Sequence, residues 1–288
     1  MVMSELIAYP KGVFNFMKRK ILRGLDVSDF IHPDELEAKN AALDNTVVRM
    51  MLDSVAEFCK AAVDPVTQGT FVKINEKSNK LLIEIVRNVC EILDVSPAPD
   101  VYLCHLMYTN ITPFGSNIPY LVVPDYVLRY SDSDMLYYNV GNAVTMIKAD
   151  HVELAMIAEY MPGGGFIEGP KLLFTKYLHL ADSTSDRGGL LACQSFATAI
   201  RNHFWELGIP PTKSIEFLSD DKKAEIFVEK YLSEQDTVLK RYNGIDTRIA
   251  RWWQRMSYLE APANKMLREL FNWYKASDGY NAVISKYS

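Results

Sequence analysis

Apolar residues recur every three or four positions along most of the chain, a spacing that predicts amphipathic helices. Two apolar stretches, 101–107 and 119–123, are short and are separated by a turn-rich segment, so they predict strands. The predicted helices cover residues 32–64, 76–93, 131 or 133 to about 160, 171–180, 185–207, 220–233, 247–258 and 263–275. The pattern therefore indicates an α+β fold that is mostly helical and has a small β-sheet.

Local signals set several helix boundaries. Pro65 is expected to end the first helix, because proline lacks the backbone N–H that a helix interior needs. Ser131 or Ser133 is expected to cap the start of the third helix, and a break is expected near Asp150. Gly208 is expected to follow the end of the helix that covers residues 185–207.

Residues 1–30 are predicted to form a basic amphipathic N-terminal arm. Residues 31–288 are predicted to form a single domain, because no repeat or obvious linker interrupts them. The cations of the arm are Lys11, Lys18, Arg19, Lys20 and Arg23. Two interpretations stay open: the arm docks on the domain, or residues 11–23 make a weak peripheral contact with an anionic membrane.

Charge and composition exclude several classes of function. The net charge of −5 argues against general nucleic-acid binding, because neutralising phosphates needs a basic surface. The four cysteines lie far apart without a CxxC pair, so neither a disulfide framework nor a zinc knuckle is expected. No apolar run reaches the roughly 20 residues of a membrane-spanning helix, and the N-terminus lacks a signal-peptide pattern. These features predict a cytoplasmic protein.

Two segments carry the most specific patterns in the chain. Residues 141–147, with the sequence GNAVTMI, lie in the third predicted helix, and residues 182–194 read DSTSDRGGLLACQ. Together they resemble the family-48 zinc metallopeptidases, the HtpX-like and CAAX-prenyl-protease-like gluzincins. That family reads roughly G-H-E-x-G-H-I in its active-site helix and E-x-x-A-D-R-A-G-L-L-A-C-Q further on.

Weaker similarity extends the match over most of the chain. Residues 109–115 are similar to the family's N-A-F-T-F-G element, and residues 268–273 are similar to its closing R-x-x-E-L-x-x-W element. The resemblance implies a gluzincin metallopeptidase-like domain whose small β-sheet lies beside the active-site helix.

The residues that would carry catalysis in the resembled family are replaced here. Asn142 and Met146 stand where the family has its two zinc-binding histidines, and Ala143 stands where it has the general-base glutamate. Asp182 stands at the position of the third ligand, a glutamate. Catalytic zinc needs three competent protein ligands, a thioether is a poor ligand for Zn²⁺, and alanine cannot accept a proton. The resemblance therefore implies a catalytically inactive pseudopeptidase without zinc or another cofactor.

Neighbouring residues leave room for an alternative. Asp186 and Arg187 match the family's D-R pair and are expected to organise the former site through a salt bridge or a hydrogen bond. His151 is expected to be structural. In the alternative, a metal-dependent hydrolase uses a relocated metal site at His179, Asp182 and Asp186, since residues three or four apart share a helix face.

Expectations about partners follow from these interpretations. An inactive peptidase-like protein is expected to bind an unknown peptide or protein partner in a regulatory role. One mode would be strand addition, in which a peptide pairs edge-on with the strand near residues 120–123. A membrane-surface adaptor that uses the basic N-terminal segment is the remaining alternative.

Overall fold

The structure of the chain is a computed structural model. It describes residues 18–44, 46–105, 110–115, 118–160, 168–209, 218–241 and 263–287. Within these ranges the chain is mostly helical and contains a four-stranded sheet, so the predicted α+β class is confirmed.

The helices and strands of the described ranges are numbered in chain order. The helices are α1 (Glu35–Leu43), α2 (Thr46–Phe58), α3 (Asp64–Thr70), α4 (Lys80–Ile92), α5 (Asp125–Tyr130), α6 (Ser133–Lys148), α7 (Val152–Tyr160), α8 (Glu168–Cys193), α9 (Phe196–Glu206), α10 (Asp221–Arg241), α11 (Ala263–Lys275) and α12 (Tyr280–Tyr287). The strands are β1 (Val72–Ile74), β2 (Asp100–Cys104), β3 (Thr112–Phe114) and β4 (Tyr120–Pro124). A π-helix, Cys59–Val63, joins α2 to α3.

The sheet has the strand order β1-β2-β4-β3. The two inner strands, β2 and β4, are parallel, and each outer strand pairs with its neighbour in the antiparallel direction. Successive side chains of a strand point to opposite faces of a sheet. Accordingly Leu121 and Val123 lie in the main hydrophobic core, whereas Tyr120 and Val122 lie in a second cluster on the other face. Both faces of the sheet are therefore covered.

Helices α6 and α8 pack against each other at the centre of the molecule. Their backbones approach closely because glycines stand at the contact. A Cβ atom added at Gly188 would overlap the side chain of Thr145, and one added at Gly141 would overlap that of Ala192. This close approach brings residues of the two sequence segments singled out above within hydrogen-bonding distance.

Two of the predicted helix boundaries are wrong. Pro65 does not end a helix; the chain stays helical from the π-helix Cys59–Val63 into α3, where Pro65 stands in the first turn. The predicted helices 171–180 and 185–207 are divided differently: α8 runs without a break through residues 181–184, and a break at Gln194, which has a φ of 54°, separates α8 from α9. Residues 181–184, which the prediction left between two helices, lie in the middle of α8.

Other boundaries agree with the prediction or refine it. The break near Asp150 is confirmed, since Asp150 has a φ of 57° between α6 and α7. The cap of α6 is Asp132, whose carboxylate accepts a hydrogen bond from the Met135 amide at 2.8 Å, and neither predicted serine has this role. The helix at 263–275 is confirmed, and that predicted at 247–258 lies outside the described residues. The strands β1 and β3 and the helix α12 were not predicted.

The described part of the predicted N-terminal arm packs on the body of the protein. Leu22, Leu25 and Phe30 are buried in the main core. The guanidinium of Arg19 lies 3.6 Å from the ring centroid of Tyr137 and donates to the Cys193 carbonyl at 3.1 Å. The segment 18–30 therefore packs against the main core. Lys11 lies outside the described residues.

Candidate functional site

A hydrogen bond joins the two sequence segments that resemble the metallopeptidase site. Asn142 on α6 donates from its side-chain amide to Oδ1 of Asp186 on α8 at 3.0 Å. Asn142 is partly buried and Asp186 is buried. Asn142, which stands where the resembled family has its first histidine, is thus held by a carboxylate of the protein itself.

Two further side chains complete a polar cluster around this carboxylate. The hydroxyl of Tyr138 donates to the same oxygen of Asp186 at 2.9 Å. His203 Nε2 on α9 lies 3.5 Å from the other carboxylate oxygen and 3.3 Å from the Tyr138 hydroxyl. We call Tyr138, Asn142, Asp186 and His203 the Asp186 cluster. Its members come from three helices, so their meeting depends on how these helices pack.

The Asp186 cluster is shielded from solvent, and this changes its protonation. Burial raises the pKa of Asp186 to about 6, although the neighbouring His203 and the hydrogen bonds from Tyr138 and Asn142 act in the opposite direction. Burial also raises the pKa of Tyr138 well above its usual value, so its hydroxyl stays protonated. Glu206, half exposed beside His203 at 4.0 Å, connects the cluster to the surface.

Met146 and Ala143 occupy apolar surroundings. Met146 is partly buried and packs against the second cluster on the sheet, which contains Tyr120 and Cys59. Ala143 is fully buried in the main core. The flexible thioether is suited to filling an irregular apolar gap, and alanine places no charge at the buried position 143.

The remaining residues of the predicted site do not form a metal centre. His179 is buried and Asp182 is partly exposed on the same helix as Asp186. In the part of the chain that the structure describes, no group of three or more His, Cys, Asp or Glu side chains could hold a metal ion. The relocated set His179, Asp182 and Asp186 is therefore not supported by the geometry.

Arg187 and His151 have partners away from the Asp186 cluster. Arg187 donates to the carbonyl oxygens of Phe30 at 3.2 Å and Ile31 at 2.9 Å, so it fixes the entry of the chain into α1. His151 Nε2 lies 2.7 Å from Oε1 of Glu35, and both side chains are buried. Although Asp186 and Arg187 are adjacent in sequence, only Asp186 contacts Asn142.

Sequence reasoning missed two members of the Asp186 cluster. Tyr138 lies four positions before Asn142 and therefore on the same helix face, so helical spacing from the motif could have indicated it. His203 carries no such signal, because it reaches the cluster from a different helix that packs against α6. Only the tertiary arrangement identifies it.

The expected peptide pairing along residues 120–123 is wrong. These residues lie in β4, which is paired on one side with β2 and on the other with β3. Because both edges of β4 are paired at residues 120–122, an added strand there would have to displace β3.

Comparison with known proteins found no matching family model, curated protein or solved structure. The resemblance to the family-48 metallopeptidases therefore stays a prediction. Among the described residues, no helix is both long and apolar enough to cross a membrane.

Proposed function

We propose that this chain is a metallopeptidase-like protein without peptidase activity and that it acts by binding a peptide or protein partner. The hydrogen bond from Asn142 to Asp186 at 3.0 Å carries this proposal. In that contact the side chain at a former ligand position is satisfied by the protein. A zinc ion would instead need a lone pair of an imidazole at this position.

The packing of the neighbouring positions supports the same proposal. Met146 contributes to an apolar cluster, and Ala143 has no group that could accept a proton from water. A carboxylate at position 143 would be buried in the main core, where an unpaired charge is costly. These substitutions favour a stable scaffold over hydrolysis.

The first test measures the metal content of the purified chain by elemental mass spectrometry after expression with zinc. We expect less than about a tenth of an equivalent, because structural and catalytic zinc sites need three or four good ligands. Nearly one equivalent of zinc that is lost in an Asp182→Ala variant would overturn the proposal and establish a metal site around that residue.

A gain-of-binding variant tests the resemblance itself. In an Asn142→His/Met146→His double variant, two imidazoles share one face of α6. The resemblance makes Asp182 on α8 the third zinc ligand. We expect this variant to bind zinc at least about tenfold more tightly than a control with the same spacing on exposed helix surface, Lys230→His/Glu234→His. Equal affinities in two folded variants would contradict the assignment of these positions.

A further inference from the structure

The outer edge of β1 is a second candidate binding surface, at the opposite end of the sheet from β3. β1 pairs only with β2, and its other edge has no strand partner among the described residues. Val72 on this strand is 48% exposed. An unpaired strand edge can accept an extended segment of another chain through backbone hydrogen bonds.

The usual protection of an edge strand is weak in β1. An exposed lysine commonly discourages pairing, because its charge would have to be desolvated by an added strand. Here Lys73 donates to the carboxylate of Asp100 at 2.6 Å, so its charge is compensated within the protein. The remaining protection is the shortness of β1, which limits the number of backbone hydrogen bonds a partner could form.

A cleft beside the end of β1 supplies additional surface. It has a volume of about 520 Å³, within the range typical of ligand sites, and Ile83, Val86 and Val101 are among its apolar lining. A second cavity of about 440 Å³ shares Arg87 and Ala98 with it, so the two are contiguous along α4. We call this pair of cavities the α4 cleft.

The charges that line the first cavity favour an anionic group there, whereas the carboxylates Glu91 and Asp94 line the second cavity. The two carboxylates that line the first cavity are already paired, Asp100 with Lys73 and Glu76 with Arg87. The ammonium group of Lys77 is exposed and has no acidic partner in the described part of the chain. A carboxylate would complement this cation.

We propose that β1 and the α4 cleft bind an extended segment of a partner protein. The segment adds a strand to β1, places an apolar side chain in the cleft and sets a carboxylate against Lys77. The strand edge selects an extended backbone over a compact ligand, and the cleft and the cation select the side chains. This surface is separate from the Asp186 cluster, so it does not depend on whether that site ever binds a metal.

The experiment selects peptides from a random linear peptide display library on the intact chain and measures the affinity of the enriched sequences by titration calorimetry. We expect enriched peptides to contain an acidic residue, and their binding to weaken about tenfold or more with Lys77→Glu or Ala98→Trp. Ala98 is exposed, so the second variant narrows the cleft without disturbing the core. Lys222→Glu on α10, an exposed lysine away from the sheet, is the matched control and should leave the affinity unchanged.

Methylation of alternate backbone nitrogens in the selected peptide tests strand addition directly, since it removes donors without altering side chains. We expect at least one methylated series to lose binding. The proposal is overturned if no peptide is enriched, or if neither the two variants nor methylation reduces the affinity. Sedimentation equilibrium shows whether a second copy of the chain binds at the outer edge of β1. A dimer that is abolished by Lys77→Glu would assign this surface to self-association and overturn the proposal of a partner segment.

Discussion

Glu35 on α1 and His151, between α6 and α7, form a buried pair with 2.7 Å between Oε1 and Nε2. Each side chain is about 1% exposed. The other carboxylate oxygen accepts a hydrogen bond from the hydroxyl of Thr184 on α8, which is also fully buried. The carboxylate of Glu35 on α1 therefore contacts both His151 and Thr184, and it joins α1 to α8.

Replacing Glu35 by Met should destabilise the protein by about 3–5 kcal/mol, because it leaves His151 and Thr184 buried without their acceptor. Chemical denaturation monitored by circular dichroism measures the change. The matched control is Glu84→Gln at the exposed Lys80–Glu84 pair, which should change the free energy of unfolding by less than about 1 kcal/mol.

A double-mutant cycle measures the coupling free energy between Glu35 and His151 separately from their other contacts. Combining Glu35→Met with His151→Phe removes both polar partners, so the double variant should recover part of the loss. Strict additivity of the two single changes would show that the residues are not coupled and would contradict the buried pair.

Asp186 should make the stability of the protein depend on pH. Its pKa is about 6 in the folded protein, against an ordinary value of 3.8, so the folded state holds the proton more tightly. The stabilisation that results is fully present below about pH 4 and is lost as the pH rises to about 6. The difference amounts to about 3 kcal/mol.

The Asp186→Asn variant tests this dependence, since an amide of similar shape does not ionise. Relative to the unmodified chain, we expect the variant to gain stability between pH 4 and pH 7 by up to about 3 kcal/mol in urea denaturation. Asp29→Asn is the control of opposite sign. Hydrogen bonds from Lys286 and Tyr287 lower the pKa of Asp29, so this variant should lose stability relative to the unmodified chain as the pH rises. A pH-independent difference between Asp186→Asn and the unmodified chain would contradict the raised pKa of Asp186.

Gly188→Ala should destabilise the contact between α6 and α8. The added methyl group would overlap the side chain of Thr145, and overpacking of this kind typically costs about 1–3 kcal/mol. Gly69→Ala on α3 is the control, because apart from the adjoining residues and the backbone of its own helix nothing lies within 4 Å of the added Cβ. Since alanine favours a helix interior more than glycine does, we expect the control to be neutral or stabilised by about 0.5–1 kcal/mol. Equal thermal unfolding of the two variants would rule out the close helix contact.

The sequence by itself determined the class of the fold and much of its local structure. The apolar spacing indicated α4, α6 and α11, because amphipathic periodicity survives wherever one face of a helix is buried. It indicated β2 and β4 as well, since a short apolar run between turns favours a buried strand. Residue chemistry alone also determined that Asn142, Ala143 and Met146 cannot supply zinc ligands and a general base.

Tertiary structure decided what local patterns do not encode. The strand β1 has only three residues and α8 carries polar residues through its centre, so neither gave a readable period. The tertiary fold also decided that His203 joins Asp186, that Arg187 turns away to the backbone near residue 30, and that β4 is an inner strand. The physical reason is the same in each case: such contacts link residues far apart in sequence, and they form only when the packing of whole helices and strands brings those residues together.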